Sequence, residues 1–411
     1  MHYLPLYLLV FVLISASVRK IGRFSLPLWF VMSICALVVI ASGNISIQSA
    51  FHAIDFATIF YLIAVFFIGS ALQDSKILDL ALLKHLSKQP SQQKLLFLVC
   101  FSSGLLSALL LNDTIAVIGI GILLPLIQRF NLNAKPYLYT LAFSSTIGSL
   151  FSPIGNPQNL LIANTLSTPF NSFFSYLFLP SLITLYLCHR LVGFVYRKAL
   201  AAPIIMPASE VLPLNIEKKA LWPIMLSMAS FLVLIIIKIL FTITASAFIS
   251  LTTIALIACI PILFFYPKRI NVIKHVDWHS ILFFIAMFIF MHAVWMTEVT
   301  QSFLQTHQNW LVNPFSLIII GFLLSQVLSN VPAVMLLLPL LSQHTHATEL
   351  LMALAVGSTL SGNISMLGAA SNVIIFQYAE KAKVFAFRFL SFFTIGFTLS
   401  LCFFAIYYFS I

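Results

Sequence analysis

The chain has 411 residues, 61% of them hydrophobic and 8% charged, with a net charge of +11. A soluble domain carries about 25% charged residues, so this composition cannot cover a water-exposed surface and excludes a soluble fold. The positive charge sits in short clusters between apolar runs, as the positive-inside rule expects, which argues against a nucleic-acid partner and for the lipid bilayer.

In chain order, apolar runs predict membrane spans near 3–18, 25–43, 53–72, 136–166, 172–195, 220–240, 247–266, 279–298, 350–379 and 388–409. The first run has no basic residue before it and Arg19, Lys20 and Arg23 just after it. That is the reverse of a secretory signal and predicts a retained span with its N-terminus outside. Two further apolar segments, 95–128 and 314–341, are interrupted by Asn112-Asp113-Thr114 and Ser329-Asn330. Each half is about 15 residues, short for a crossing, and both segments read as re-entrant hairpins with polar tips. Two full crossings would preserve the same topology.

With the first span running outside to inside, the loops at 19–23, 73–94, 129–135, 190–219, 267–274 and 380–388 become cytoplasmic and hold 20 of the 21 lysines and arginines. The exception, Lys238, lies near an outer span end, where it can snorkel. The outer loops at 44–52, 299–313 and 342–349 hold none. The expected topology has both termini outside.

The two halves resemble each other. Leu141-Ala142-Phe143-Ser144-Ser145-Thr146, then Ser152-Pro153-Ile154-Gly155-Asn156-Pro157-Gln158-Asn159, matches Leu354-Ala355-Val356-Gly357-Ser358-Thr359, then Ser365-Met366-Leu367-Gly368-Ala369-Ala370-Ser371-Asn372, at a constant offset of 213. Leu105-Leu106-Ser107 with Asn112 matches Leu323-Leu324-Ser325 with Asn330 at offset 218, and Ile54-Asp55-Phe56 resembles Val276-Asp277-Trp278. The expectation is an all-α polytopic membrane protein of two repeats, 1–198 and 220–411, joined by a cytoplasmic linker at 199–219. Each repeat has five transmembrane helices plus a hairpin. Five is odd, so the second repeat is inverted, an architecture of secondary transporters.

Four places break helices in apolar surroundings: the two tips, 152–157 and 363–368. Such backbone survives at membrane depth only where it is buried in protein or lines a wet cavity. Freed carbonyls with Ser and Asn oxygens suit a small hard cation; half-helix N-termini suit an anion. The candidate binding residues are therefore Asn112, Asp113, Thr114, Ser152, Pro153, Gly155, Asn156, Asn159, Ser329, Asn330, Ser365, Gly368, Ser371 and Asn372. Sodium is expected at Asn112, Asp113, Ser152, Asn330 and Ser365, with a proton the alternative coupling ion and no other cofactor. Ser145, Thr146, Ser358 and Thr359 are further candidates, although small polar residues also pack helices. Asp113 lies at a tip where a charge is costly and usually functional, and its repeat partner is the neutral Val331. Asp55 and Asp277 sit near span ends, either facing water or serving the site. Glu298 reads as interfacial, closing its span.

The five cysteines are scattered and show no metal or disulfide spacing. There is no P-loop pattern, and the longest hydrophilic stretch, 197–219, is too short for a nucleotide-binding domain. ATP hydrolysis within the chain is excluded. A membrane-embedded enzyme would need a constellation such as His-Glu-x-x-His, which is absent.

The Asn-Asp-Thr tip at 112–114, the Ser-Pro-Ile-Gly-Asn-Pro-Gln-Asn run at 152–159 and the Ser-Asn-Val-Pro-Ala tip at 329–333 resemble the ion transporter superfamily, and within it the citrate-transporter-like and arsenite-permease group. The resemblance covers essentially the whole chain. It implies hairpin tips that form sodium and substrate sites through Ser-Asn-Thr motifs. Asn112 and Thr114 match at the first tip, and Ser329 and Asn330 at the second, where Val331 replaces the Thr. It also implies a bacterial inner membrane and a homodimer moving its substrate by an elevator motion. The expected function is secondary transport of a small organic or inorganic anion or oxyanion, driven by sodium or protons. A sodium/proton antiporter is the alternative, and a channel is disfavoured by the unlike tips.

Overall fold

A computed structural model describes residues 3–410 apart from 19, 22–23, 26, 79, 81–90, 205–217, 244–248, 367 and 385–386. Much of the expected linker and of the loop at 73–94, part of the 19–23 cluster, and Leu367 of the second repeat motif lie outside the described residues. The fold is all-α apart from a two-residue antiparallel pairing of Lys20–Ile21 with Phe24–Ser25.

The first half contains α1 (Leu4–Val18), α2 (Leu28–Ala41), α3 (Ile47–Ala53), α4 (Phe56–Ser75), α5 (Gln92–Leu110), α6 (Asn112–Arg129), α7 (Ala134–Leu150), α8 (Pro157–Asn164), α9 (Pro169–Val195) and α10 (Arg197–Leu200). The second contains α11 (Lys218–Ile243), α12 (Leu251–Phe265), α13 (Arg269–His275), α14 (Trp278–Trp295), α15 (Glu298–Thr306), α16 (Gln308–Leu311), α17 (Pro314–Leu328), α18 (Asn330–Leu341), α19 (Ala347–Leu360), α20 (Ala370–Lys381) and α21 (Phe389–Ser410). Among the described residues seven helices are long and apolar enough to cross a membrane: those at 56–75, 92–110, 112–129, 169–195, 219–241, 278–295 and 389–409. The spans expected near 136–166 and 350–379 are each split by a break, as their Pro, Gly and Asn content dictates. Glu298 opens α15 rather than closing α14, because Thr297 caps a new helix through its hydroxyl, which accepts from Thr300 N at 3.4 Å.

Burial sorts the helices by role. On α7 every residue from Pro136 to Leu150 is buried, and on α19 every residue from Leu350 to Leu360. A helix buried on all sides is a core element, and these two form the centre. By contrast α11 leaves Trp222, Met225, Val233, Ile236 and Leu240 exposed, a face that suits lipid. Small residues let the central helices approach closely. A Cβ on Gly148 of α7 would overlap the backbone of Gly104 on α5, and one on Gly357 of α19 would overlap the Ile318 carbonyl on α17.

These contacts also set the course of the interrupted segments. Tyr137 Oη donates to Gln92 Oε1 (2.9 Å), and Ser103 Oγ meets Ser144 Oγ (2.5 Å). Residues 92, 103 and 104 thus lie beside 137, 144 and 148, so α5 and α7 run parallel. The four-residue link after α6 joins them only if α6 turns back from the tip. The first segment is therefore a helical hairpin. Its arms have 19 and 18 residues, longer than the sequence suggested. The first arm starts earlier, through the polar Gln92 and Lys94, which do not register as an apolar run, and the second takes in the tip residues Asn112, Asp113 and Thr114 and ends at Arg129. The second segment keeps short arms of 15 and 12 residues. The first tip lies beside the break after α7, and α8 runs a further 8 residues beyond that break, about 12 Å at the usual helical rise. Despite its long arms, the first hairpin ends within the depth of the bundle.

Candidate functional site

Each break is tied by one asparagine. The last carbonyls of a helix have no intrahelical donor. At the first break Asn159 Nδ2 donates to two of them, those of Ser149 (3.2 Å) and Leu150 (3.2 Å), and to the Ser152 carbonyl in the break itself (3.0 Å). At the second, Asn372 Nδ2 donates to the carbonyls of Gly362 (2.6 Å) and Ser365 (3.4 Å). Donors 159 and 372, and acceptors 149 and 362, 152 and 365, are all 213 residues apart. In both asparagines the side-chain oxygen Oδ1 is buried with no hydrogen-bond partner. The breaks differ at their caps. Asn156 Oδ1 accepts from Asn159 N (2.8 Å), with Pro157 in the first turn of α8. At the start of α20 Ala369 stands in that place and provides no side-chain cap, leaving the first N–H groups open to another acceptor.

The tips dock on the breaks. Leu111 and Ser329, 218 residues apart, turn the chain with positive φ of 70° and 75°. That conformation costs a side-chain-bearing residue roughly 1–3 kcal/mol and persists only where the surroundings impose it. At the first tip the Asn112 backbone N–H donates to the Gly155 carbonyl (2.9 Å). Asn112 Nδ2 donates to Ser371 Oγ (3.4 Å), so this residue touches both breaks. Gly155 is needed because any Cβ there would overlap the Ser149 carbonyl. At the second tip Asn330 Oδ1 accepts from Ser361 Oγ (2.9 Å).

The breaks also meet each other. Asn156 Nδ2 (3.4 Å) and Gln158 Nε2 (3.3 Å) both donate to Thr359 Oγ1, and Thr146 packs near Gly362. Of the four small residues, Thr359 alone bonds across the halves. Ser145 and Thr146 donate to the Ala142 carbonyl of their own helix, and Ser358 to that of Ala355. Asn363, fully buried at 0% exposure, has neither amide atom partnered. α21 closes over it at Gly396, where a Cβ would overlap the Asn363 carbonyl. Asn363, Gln158 and Ser361 were not among the expected site residues. Their signal was position alone, since each lies in or beside a break.

The remaining candidates fall around this junction. Pro153 shapes the first break. Ser152 Oγ accepts from Ile154 N (3.3 Å), and Gly368 N bonds to the Ser365 carbonyl (3.0 Å). Asp113 is half-buried and lies near the start of α20 at Ser371. Thr114 turns away from the second tip and packs on Gly69 of α4. Asp55 and Asp277 are helix caps: Asp55 accepts from Thr58 N (3.1 Å) and Asn164 Nδ2 (3.1 Å), and Asp277 from Ser280 N (3.1 Å) and Ser280 Oγ (2.5 Å). Among the described residues no group of three or more His, Cys, Asp or Glu side chains is placed to hold a metal ion. A cation at this junction would meet neutral oxygens and Asp113.

Residues 9–349 match the citrate transporter family, CitMHS. The chain is 26% identical over 365 residues to the 46 kDa membrane protein of Mycobacterium leprae, covering 84% of this chain and 85% of that one. It is 36% identical over 143 residues to the silicon efflux transporter LSI3 of rice, Oryza sativa subsp. japonica, covering 34% of this chain and 28% of that protein. Its fold resembles the crystal structure of the Alcanivorax borkumensis YdaH transporter, with a TM-score of 0.57, 14% identity, and coverage of 98% and 96%. A multi-pass helical bundle with two tips docked on two broken helices, matched over most of its length, is a secondary transporter of the membrane, and this chain belongs to the citrate transporter family.

Proposed function

We propose that the protein moves a small anion or oxyanion, of carboxylate or arsenite type, in symport or antiport with sodium or protons. The observation that carries this reading is the junction itself. Two tips and two breaks meet around buried amide groups left unpartnered, the Oδ1 of Asn159 and Asn372 and both ends of Asn363. Buried polar groups are normally satisfied, and a solute or ion supplies the missing partner. The uncapped start of α20, with Ser371 and the Asn112 amide beside it, suits an anionic oxygen. The buried amide oxygens suit a hard cation, which takes oxygen ligands. An ion and an anion bound together offset each other's charge in a low-dielectric site. The rice relative, named as a silicon efflux transporter, supports a small oxyacid among the substrates. The family resemblance supports a homodimer in a bacterial inner membrane, and the distribution of lysines and arginines supports both termini outside.

The test is a thermal-shift screen of the purified full chain against citrate, succinate, arsenite and silicate, with and without sodium, followed by counterflow in proteoliposomes. A solute whose stabilisation depends on sodium or pH, and which exchanges across the membrane, is the expected result. No response to any oxyanion, together with sodium/proton exchange in empty vesicles, would instead establish the antiporter. Asp113 favours keeping that second reading, because it is the one charged side chain among the polar groups named at the tips and breaks.

A further inference from the structure

We infer that a sodium site lies on the α4 side of the first tip, in a pocket where Asp113 of the first half and Asp277 of the second share the ion with Thr114 and Gln73. This deepens the coupling reading above and rests on it. The pocket, about 50 Å³, is lined by Phe66, Gly69, Ser70, Gln73, Asp113, Thr114 and residues of the α13–α14 turn, among them His275 and Asp277. It has room for an ion and little accompanying water.

Three observations converge there. The two carboxylates come from different halves and line the same small pocket, where a cation between them would offset their like charges. Thr114 Oγ1 is buried in a residue 7% exposed, lines the same pocket and has no hydrogen-bond partner. The rest of the lining is apolar, and the polar side chains besides His275 all carry oxygen: two carboxylates, a hydroxyl from Thr114, the Gln73 amide, and Ser70 Oγ, whose proton is committed to the Val272 carbonyl (3.1 Å). Asp277 keeps free lone pairs while capping α14, since each carboxylate oxygen accepts more than one bond. His275 holds Nδ1 at 2.8 Å from the Asn271 carbonyl of its own helix.

Other ionisable groups near α6 are engaged elsewhere. Asp74 of α4 accepts from Tyr266 Oη (2.7 Å) and Asn271 Nδ2 (3.4 Å). Glu380 and Lys381 lie at the far end of α20, beside Ala382, whose carbonyl takes a bond from Gln128. His275 and Asp277 are exposed, so the site opens on the face that carries Lys268, Arg269 and Lys274. An ion there bridges the first tip to the α13–α14 turn, so its binding and release would decide whether the tip is free to move.

The experiment titrates sodium alone, with choline balancing ionic strength, against the purified full chain by calorimetry and thermal shift. Wild type should bind saturably. Asp277→Asn, which keeps a capping side chain, and the near-isosteric Thr114→Val should each need about tenfold more sodium, the loss of roughly one good ligand. Asp113→Asn should abolish saturable binding, and Asp74→Asn should leave it unchanged. If Asp277→Asn and Thr114→Val titrate like wild type while Asp113→Asn does not, the shared site is wrong and coupling through Asp113 stands. If Asp113→Asn also titrates like wild type, both fall.

Discussion

At the scale of single residues, the asparagines divide into two kinds. Asn159 and Asn372 tie carbonyls within their own broken helix, whereas Asn112 and Asn330 join a tip to a break. Removing the first kind strips a buried donor from carbonyls, which costs about 1–3 kcal/mol for an unsatisfied group. Asn159→Ala is therefore expected to lower the thermal midpoint in detergent as well as transport. Asn112→Ala and Asn330→Ala should abolish uptake with insertion and midpoint close to wild type, read by proteoliposome counterflow beside a melting curve. Near-normal uptake in either tip variant would assign that residue to packing. The asparagines of the breaks were visible in the sequence because they recur at one offset. Their division of labour was not, since it depends on which carbonyls face each amide.

At the scale of elements, close packing of parallel helices is what holds the hairpins. The α5–α7 contact depends on Gly148 lying against Gly104 with no room for a side chain. Gly193, also within a helix, has only ordinary contacts, to Gln93 and Leu96 at 3.6 and 3.7 Å. Glycine to alanine within a helix otherwise gains about 0.5–1 kcal/mol. Gly148→Ala should therefore lower the melting midpoint and the yield of monodisperse protein, while Gly193→Ala should leave both unchanged or slightly raised. Equal behaviour of the two would mean that the hairpin is not seated on α7 as described. The hairpin arms show where reading by hydropathy stops. Helices continue through Gln92 and Lys94 at one end and through the tip residues Asn112 and Asp113 at the other because hydrogen bonding extends them, not because the residues are apolar.

At the scale of the whole molecule, the helices after the two breaks run in opposite directions. α6 lies parallel to α20, since Asn112 meets Ser371 and Gln128 meets Ala382. It runs opposite to α7, so α20 heads back toward the start of α7. α8 ends at Asn164 beside Asp55, the cap at the other end of α4. Oppositely directed helices in matching places support the proposed inverted repeat. They also support a common depth for both breaks, where a solute can be reached from either side. The orientation is tested by cysteine labelling on a background lacking the native cysteines. An impermeant reagent added outside should reach a cysteine at 345 and miss one at 210, and the opposite pattern would reverse the topology.

The sequence by itself determined that the chain lives in a bilayer and that its helices break at four polar places, and it showed like residues recurring at a constant offset in two segments. Each of these depends on local properties: hydropathy, Pro and Gly content, and spacing along one chain. Only the tertiary structure decided which groups meet. It turned Thr114 toward Gly69 rather than the second tip, set Asn112 against Ser371, and picked Thr359 from four similar residues as the acceptor between halves. It also exposed Asn363 as a buried amide without a partner. These follow from contacts between residues up to 259 positions apart, and such pairings arise only when separate helices pack.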